Sequence, residues 1–452
     1  MTPVEVVALT IAAALGVGAM VSVYRRPQRG LLILAALTPL NGLLAIMPLP
    51  GVAAGWKEGL VLYTAACAWL RRDRHGTTAP LLAPWWPAAA VFVAVGTISA
   101  LAVFGLIGAV AIKVTYFYIA VVVALWFAPF DARDRDRLVT ILMTLGAVVA
   151  FAGIAQQLLG PGVMVQIGYE WGNQVRTTGG FFRTFSTFNQ PFGFGLYVML
   201  ALLVGGAVAL AEPHRRRNQI FLWLAPVLAL AMATAVVRAA ILGLFVGVVW
   251  LVVIRFRALL LPVLMATLAV AAFLPLLPAG VSGVFFSSSS LGERSTGWTQ
   301  IIDSILIHPF GQGLGVTGAA ADRMATAADL DTVGPEVNYQ PDNYYVKILL
   351  ELGPIGLWAL VALLVTASVF TTRMSRALPG RDGALAAGVS ASIVAAAVAC
   401  LVATYFEIFP LDVYFWLLLG VIGCAAAQHA SGSVRLHSDP AAVASRPTSA
   451  SC

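Results

Sequence analysis

Residues 84–128 read PWWPAAAVFVAVGTISALAVFGLIGAVAIKVTYFYIAVVVALWFA, with Lys113 as their one charge. The hydrocarbon core of a bilayer is roughly 30 Å thick and takes about 20 apolar residues as helix. The stretch is too long for one crossing and reads as two, 84–106 and 107–128. Carried along the chain, the same reading gives further spans near 4–23, 30–49, 56–70, 138–160, 191–211, 219–233, 235–254, 258–277, 344–372, 384–406 and 413–430. Composition agrees: 60% of the 452 residues are hydrophobic and 10% charged, against roughly 45–50% and about 25% in an ordinary soluble protein. A water-soluble globule is excluded. The expected fold is an all-α integral membrane protein of about 12–14 transmembrane helices with a large outer loop containing short amphipathic helices.

Arginines recur after alternate spans, at Arg25/Arg26/Arg29, Arg71/Arg72/Arg74, Arg133/Arg135/Arg137, Arg215/Arg216/Arg217, Arg255/Arg257 and Arg373/Arg376/Arg381. By the positive-inside rule these loops face the cytoplasm. Eight basic residues do not fit that bias and fall in the membrane or on its outer side: Lys57, Lys113, Arg176, Arg183, Arg238, Arg294, Arg323 and Lys347. The net charge of +7 therefore says little about nucleic acid, and no nucleic-acid partner is expected. Residues 1–430 read as a single polytopic domain, and 431–452, rich in Ser, Ala and Pro, as a disordered cytoplasmic tail. Four cysteines without metal-type spacing argue against zinc or a disulfide framework.

Two outer segments are long enough for chemistry, 161–190 and about 278–343. In the second, Trp298, Ile301, Ile302 and Ile305 follow one helical face. HPFGQGLG then ends that helix, because Pro309 cannot continue it and alternate glycines favour a tight turn over a nucleotide-binding loop. Asp322, Asp329, Asp331 and Glu336 lack the spacing of a calcium loop and read as solvated acids. Lys347 and Glu351, four apart, suit an intrahelical pair. Lys113, beside Tyr116, Phe117 and Tyr118, either meets lipid phosphate or pairs with a buried acid. Arg238 lies in an otherwise apolar run, where a charge is costly enough to suggest function, the alternative being a side chain that snorkels to the interface.

After the second outer segment comes PDNYYVKILLELGPIGL, in which Asp342-Asn343 is followed by nine residues and then Gly353-Pro354-Ile355-Gly356. This resembles a signature of bacterial O-antigen ligases and related polysaccharide polymerases, with Asp342 where the ligases usually carry His. RTFSTFNQP (Arg183 to Pro191), ATAVVRAAILGL around Arg238 and ERSTGWTQIIDSILIHPFGQGLG around Arg294 resemble further family stretches in the same order. Ser186 stands where the family commonly has Gly, and Gln190 separates Asn189 from Pro191.

The resemblance implies a multi-pass protein of the bacterial inner membrane, active on its outer face. It implies an inverting, metal-independent glycosyltransferase without a cofactor. Its donor would be a glycan on undecaprenyl diphosphate, its acceptor a glycan or lipid, and its setting the bilayer, alongside other polysaccharide assembly proteins. Guanidinium groups suit a departing diphosphate, being planar, permanently charged and bidentate. On this reading Arg238, Arg294 and Arg183 bind diphosphate, Asp342 is the base and Asn343 orients acceptor or base, and Asn189, Tyr344 and Lys113 contact substrate. An ordinary aspartate has a pKa near 3.9 against about 6.5 for histidine, so Asp342 is the weaker base of the two. That exchange tilts the reading toward a polymerase of exopolysaccharide, capsule or O-antigen over a ligase. A flippase or transporter is the competing class, but its usual mid-membrane ionisable residues contrast with polar residues gathered here toward one face.

Overall fold

The computed structural model describes residues 16–47, 55–72, 81–261, 264–265, 268, 302–303, 305–328 and 342–438. Arg294, Trp298, Asp329, Asp331 and Glu336, most of the outer loop and residues 439–452 lie outside the described residues. The described part is almost wholly helical. In chain order it comprises α1 (16–25), α2 (Gln28–Leu37, prolonged as a 3-10 helix to Ile46), α3 (Trp56–Leu70), α4 (Trp86–Phe104), α5 (Gly108–Tyr116) and α6 (Ala120–Phe127). Then follow α7 (Ala132–Leu159), the short α8 (Pro161–Gln166), α9 (Pro191–Ala211), α10 (Arg216–Thr234) and α11 (Arg238–Ile254). The chain closes with α12 (Gly318–Ala328), α13 (Tyr344–Ala377), α14 (Gly380–Ala399) and α15 (Leu411–Ser438), the last running into the stretch expected as tail. The hairpin β1 (Arg176–Thr178) and β2 (Phe181–Arg183) is antiparallel.

Seven helical stretches among the described residues are long and apolar enough to cross a membrane, Trp86–Phe127 counting as one of 42 residues. That stretch folds back as its length requires. The turn falls at Gly105 (φ +58°), and the returning helix brings the Tyr116 hydroxyl to the Phe92 carbonyl at 3.0 Å. The chain is an all-α integral membrane protein.

The six arginine-bearing loops meet at one end of the bundle. Arg71 donates to the Tyr24 carbonyl at 2.9 Å, and Arg26 pairs with Asp131 at 2.9 Å and Asp134 at 2.8 Å. Arg135 grips Asp382 through both carboxylate oxygens, at 3.0 and 2.7 Å, and also donates to Gln428 at 2.8 Å. Asp136 receives Arg217 at 2.9 Å and Arg381 at 2.7 Å, and Arg255 donates to the Ser375 carbonyl. These contacts fasten helix ends that are far apart in sequence.

Between the two ends, α15 is the most enclosed span among the described residues, 94% of its apolar stretch being buried against 17% for the Trp86–Phe127 hairpin. Apolar burial cannot drive association among lipid tails, so close packing through small residues carries it. Gly243 and Gly247 of α11 show this: a Cβ at either would stand 3.3 Å from a backbone oxygen of α14, Ala395 and Ala391 respectively.

Because Arg135 is only 4% exposed, removing its carboxylate partner strands a buried charge at a cost on the order of 3 kcal/mol. Asp382→Ala should therefore unfold at lower temperature in detergent micelles than the unaltered protein; an unchanged melting temperature would show that the network does not hold this end together.

Candidate functional site

At the opposite end, α13 begins at Asp342-Asn343. Asn343 spends its carbonyl oxygen as the helix cap, accepting from the Tyr345 amide at 3.0 Å and the Val346 amide at 3.2 Å. The helix then breaks at Gly353 (φ +65°, ψ −168°), with Pro354 following. Proline has no N–H, and the break interrupts the next rung, so the carbonyls of Leu350 and Glu351 lose their helical donors. The HPFGQGLG segment replaces them: the Gln312 amide donates to Leu350 at 2.8 Å and the Gly313 amide to Glu351 at 3.0 Å. Gly311 and Gly353 face each other so closely that a Cβ on Gly311 would stand 2.4 Å from the Glu351 oxygen. The alternate glycines of this segment all have positive φ, as a tight turn demands.

This docking carries the chain on to Thr317 and α12, which roof a cavity of about 320 Å³. Its walls include Asp342, Asn189, Asp322, Arg323, Lys347 and Glu407. Lys347 is buried and forms an ion pair with Glu351, as the four-residue spacing suggests, and a second with Glu407 at 3.2 Å. Its ammonium also donates to the Thr317 carbonyl at 2.8 Å, while the Thr317 amide donates to Glu351 at 3.2 Å. Burial pushes the Glu407 carboxyl above the usual carboxylate range; Lys347 opposes the shift, and Glu351 reinforces it.

A second basic group lies close by. Arg176 and Arg183 face each other across the β1–β2 hairpin. The Arg183 guanidinium stacks on Phe192 at 5.2 Å and donates to the Ala235 carbonyl at 3.2 Å, just before Arg238 opens α11. Burial first, then the like charges of Arg176 and Arg238, lower the Arg183 pKa to about 10. The first turn of α9 joins the two groups, since Phe192 carries Arg183 and Gly193 lines the cavity.

The loop between them is held by one glutamine. Ser186 adopts φ +54°, a left-handed conformation that favours glycine. It is retained by three bonds, its amide to Gln156 at 2.7 Å, its carbonyl accepting from Gln156 at 2.7 Å, and its hydroxyl donating to Val149 at 2.6 Å. The serine standing where the resemblance expects Gly thus keeps the shape a glycine adopts freely.

Of the residues singled out in the sequence, Asp342 and Asn189 line the cavity, and Arg183 and Arg238 stand together beside it. Lys113 pairs with Glu58 at 3.1 Å, the acid-pairing alternative, and is not on the cavity wall. Tyr344 is buried, with its ring 5.5 Å from Phe406, and does not line the cavity either. Asn343 is first of all a cap. Arg323, read only as an unexplained outer charge, and Asp322, read as a solvated acid, are wall residues. Glu407 had no motif to mark it; it is one of two acids, with Asp412, between the apolar spans 384–406 and 413–430, and that position is its one signal.

Residues 220–361 match the family model described as O-Antigen ligase. No curated protein matches the chain. The matched stretch contains Arg238, Arg323 and the whole of the Asp342 to Gly356 motif, whereas Arg183, Asn189 and Glu407 lie outside it. Over that stretch, 142 of the 452 residues, the chain is similar to the O-antigen ligase family, and its helical membrane architecture agrees with the likeness.

Proposed function

We propose that the chain transfers a glycan from a polyprenyl diphosphate, of the undecaprenyl type, to an acceptor hydroxyl at the cavity end of the bundle. The observation that carries this reading is the juxtaposition of a carboxylate-walled cavity with a cluster of arginines through one helix turn. The two halves of the site suit the two halves of the reaction. As the anomeric C–O bond breaks, charge collects on the departing diphosphate, and fixed guanidinium groups stabilise it without reorganisation. Arg238 and Arg183 supply that charge, with Arg294 as a third candidate. Asp342 meets the acceptor hydroxyl from the other side and draws off its proton, while Asn189 contacts the sugar. In-line attack inverts the anomeric carbon.

The phosphate charge is assigned to arginine, whose guanidinium groups are planar, permanently charged and bidentate. The acceptor is best read as a second lipid-linked repeat unit, which makes the chain a polymerase of cell-envelope polysaccharide. The orientation that serves this chemistry puts the arginine-fastened end in the cytoplasm and the cavity on the outer face of the bacterial inner membrane.

Cells lacking the gene should accumulate single lipid-linked repeat units, and Asp342→Asn at normal protein level should reproduce that pattern, slowing transfer by about 100-fold or more. Full-length but unattached chains would instead identify a ligase, and an unaltered glycan ladder with Asp342→Asn would remove Asp342 from the site. For Arg183→Ala and Arg238→Ala, loss of a charged hydrogen bond costs about 1.5–3 kcal/mol, so the donor KM should rise by about 10- to 100-fold. Steady-state rates against donor concentration check this, and an unchanged KM in both variants would relocate the diphosphate.

A further inference from the structure

The cavity wall holds more acid than its structure needs. Lys347 neutralises one carboxylate, yet both Glu351 and Glu407 close on it, and the three side chains are between 1% and 4% exposed. One oxygen of Glu351, Oε2, is buried with no hydrogen-bond partner. Glu407 and Lys347 face the cavity that Asp342 also lines. Oε2 of Glu407 lies against Gly318, where a Cβ would stand only 2.8 Å away. Glycine at this position keeps a side chain from displacing the carboxylate.

We infer that Glu407 is a second proton-handling residue: the proton that Asp342 takes from the acceptor hydroxyl passes to Glu407 across the shared cavity. The inference rests on the transferase reading above and deepens it.

The balance is simple. The acceptor oxygen forms its bond to the anomeric carbon as the bond from that carbon to the diphosphate oxygen breaks, and the diphosphate leaves with the electron pair. The hydroxyl proton goes to the Asp342 carboxylate and from there to a Glu407 oxygen, which later releases it to water. The titratable groups around Glu407 are Lys347, Glu351 and Tyr344 from α13 and Arg323 from α12. With Lys347 charged and one carboxylate ionised the buried triad is neutral, so taking up the proton removes a charge from a site that water does not solvate. Burial raises the proton affinity of Glu407, which suits it to receive a proton arriving across the cavity.

The test uses full-length protein in lipid nanodiscs, supplied with lipid-linked glycan extracted from the deletion strain, and follows the initial rate of transfer against pH. In the unaltered protein the rate should rise with pH as Glu407 loses its proton. Glu407→Gln should be about 100-fold slower and flat over that range. Because Glu351 raises and Lys347 lowers the proton affinity of Glu407, Glu351→Gln should move the rise to lower pH and Lys347→Met to higher pH. If Glu407→Gln does not accumulate, Glu407→Asp and Glu351→Gln decide the matter.

A Glu407→Gln protein that keeps the original rate and pH limb, while Asp342→Asn is inactive, overturns the relay and leaves the transferase reading standing. So does a pH limb that Glu351→Gln leaves in place. If the unaltered protein shows no transfer with this extract, and the deletion strain an unchanged glycan, the transferase reading itself falls and the relay with it.

Discussion

A helix that breaks inside a membrane protein exposes backbone groups that lipid cannot satisfy, at several kcal/mol for each. The break at Gly353-Pro354 creates that debt at the carbonyls of Leu350 and Glu351, and the amides of Gln312 and Gly313 meet it. The position of the outer segment is thereby fixed by main-chain bonds rather than by side-chain fit. Everything beyond the break inherits that position. Thr317 reaches Lys347 and Glu351, Gly318 lies against Glu407, and α12 brings Arg323 over the cavity. The nine-residue spacing between Asp342-Asn343 and the GPIG run has a physical meaning here. It allows a little over two helical turns, from the cap that starts α13 to the break that receives the outer segment.

The two ends of the bundle use the same residue type for opposite purposes. At one end each arginine-bearing loop finds an acid or a carbonyl, and the guanidinium groups act as fasteners. At the other, burial first and then the like charges of Arg176 and Arg238 lower the pKa of Arg183. Like charges brought together this way repel one another. On the proposed reading a diphosphate entering between them relieves the repulsion, so the fold that gathers the arginines also supplies affinity for the donor.

The all-α membrane class, the 84–128 hairpin and the arginine loops gathered at one end are legible in the sequence, because length, apolarity and charge bias act locally and need no knowledge of packing. Asp342, Asn189, Arg183 and Arg238 are legible through motif order. The rest of the site is not. Lys347 and Glu351 announce a pair by spacing, but nothing in the sequence places Glu407 beside them, since the contact depends on how α13 and the turn before α15 pack. Tyr344 and Lys113 lie off the cavity wall: their types suit a sugar or phosphate site, while packing sends one into the core against Phe406 and the other to Glu58, the acid-pairing alternative. Ser186 shows the same limit in the backbone, for its left-handed φ is held by Gln156, thirty residues away.

A buried ion pair is weak evidence for a stability role, because apolar residues of the same volume often serve as well. A buried cation flanked by two carboxylates is weaker evidence still, since the second acid adds desolvation and repulsion that one ammonium cannot fully offset. Were Lys347 present only to hold α13 against the turn before α15, one glutamate would suffice. The second acid, Glu407, lines the cavity that Asp342 also lines, where the proposed transfer has a hydroxyl proton to dispose of. Its burial, unfavourable to the fold, raises its proton affinity.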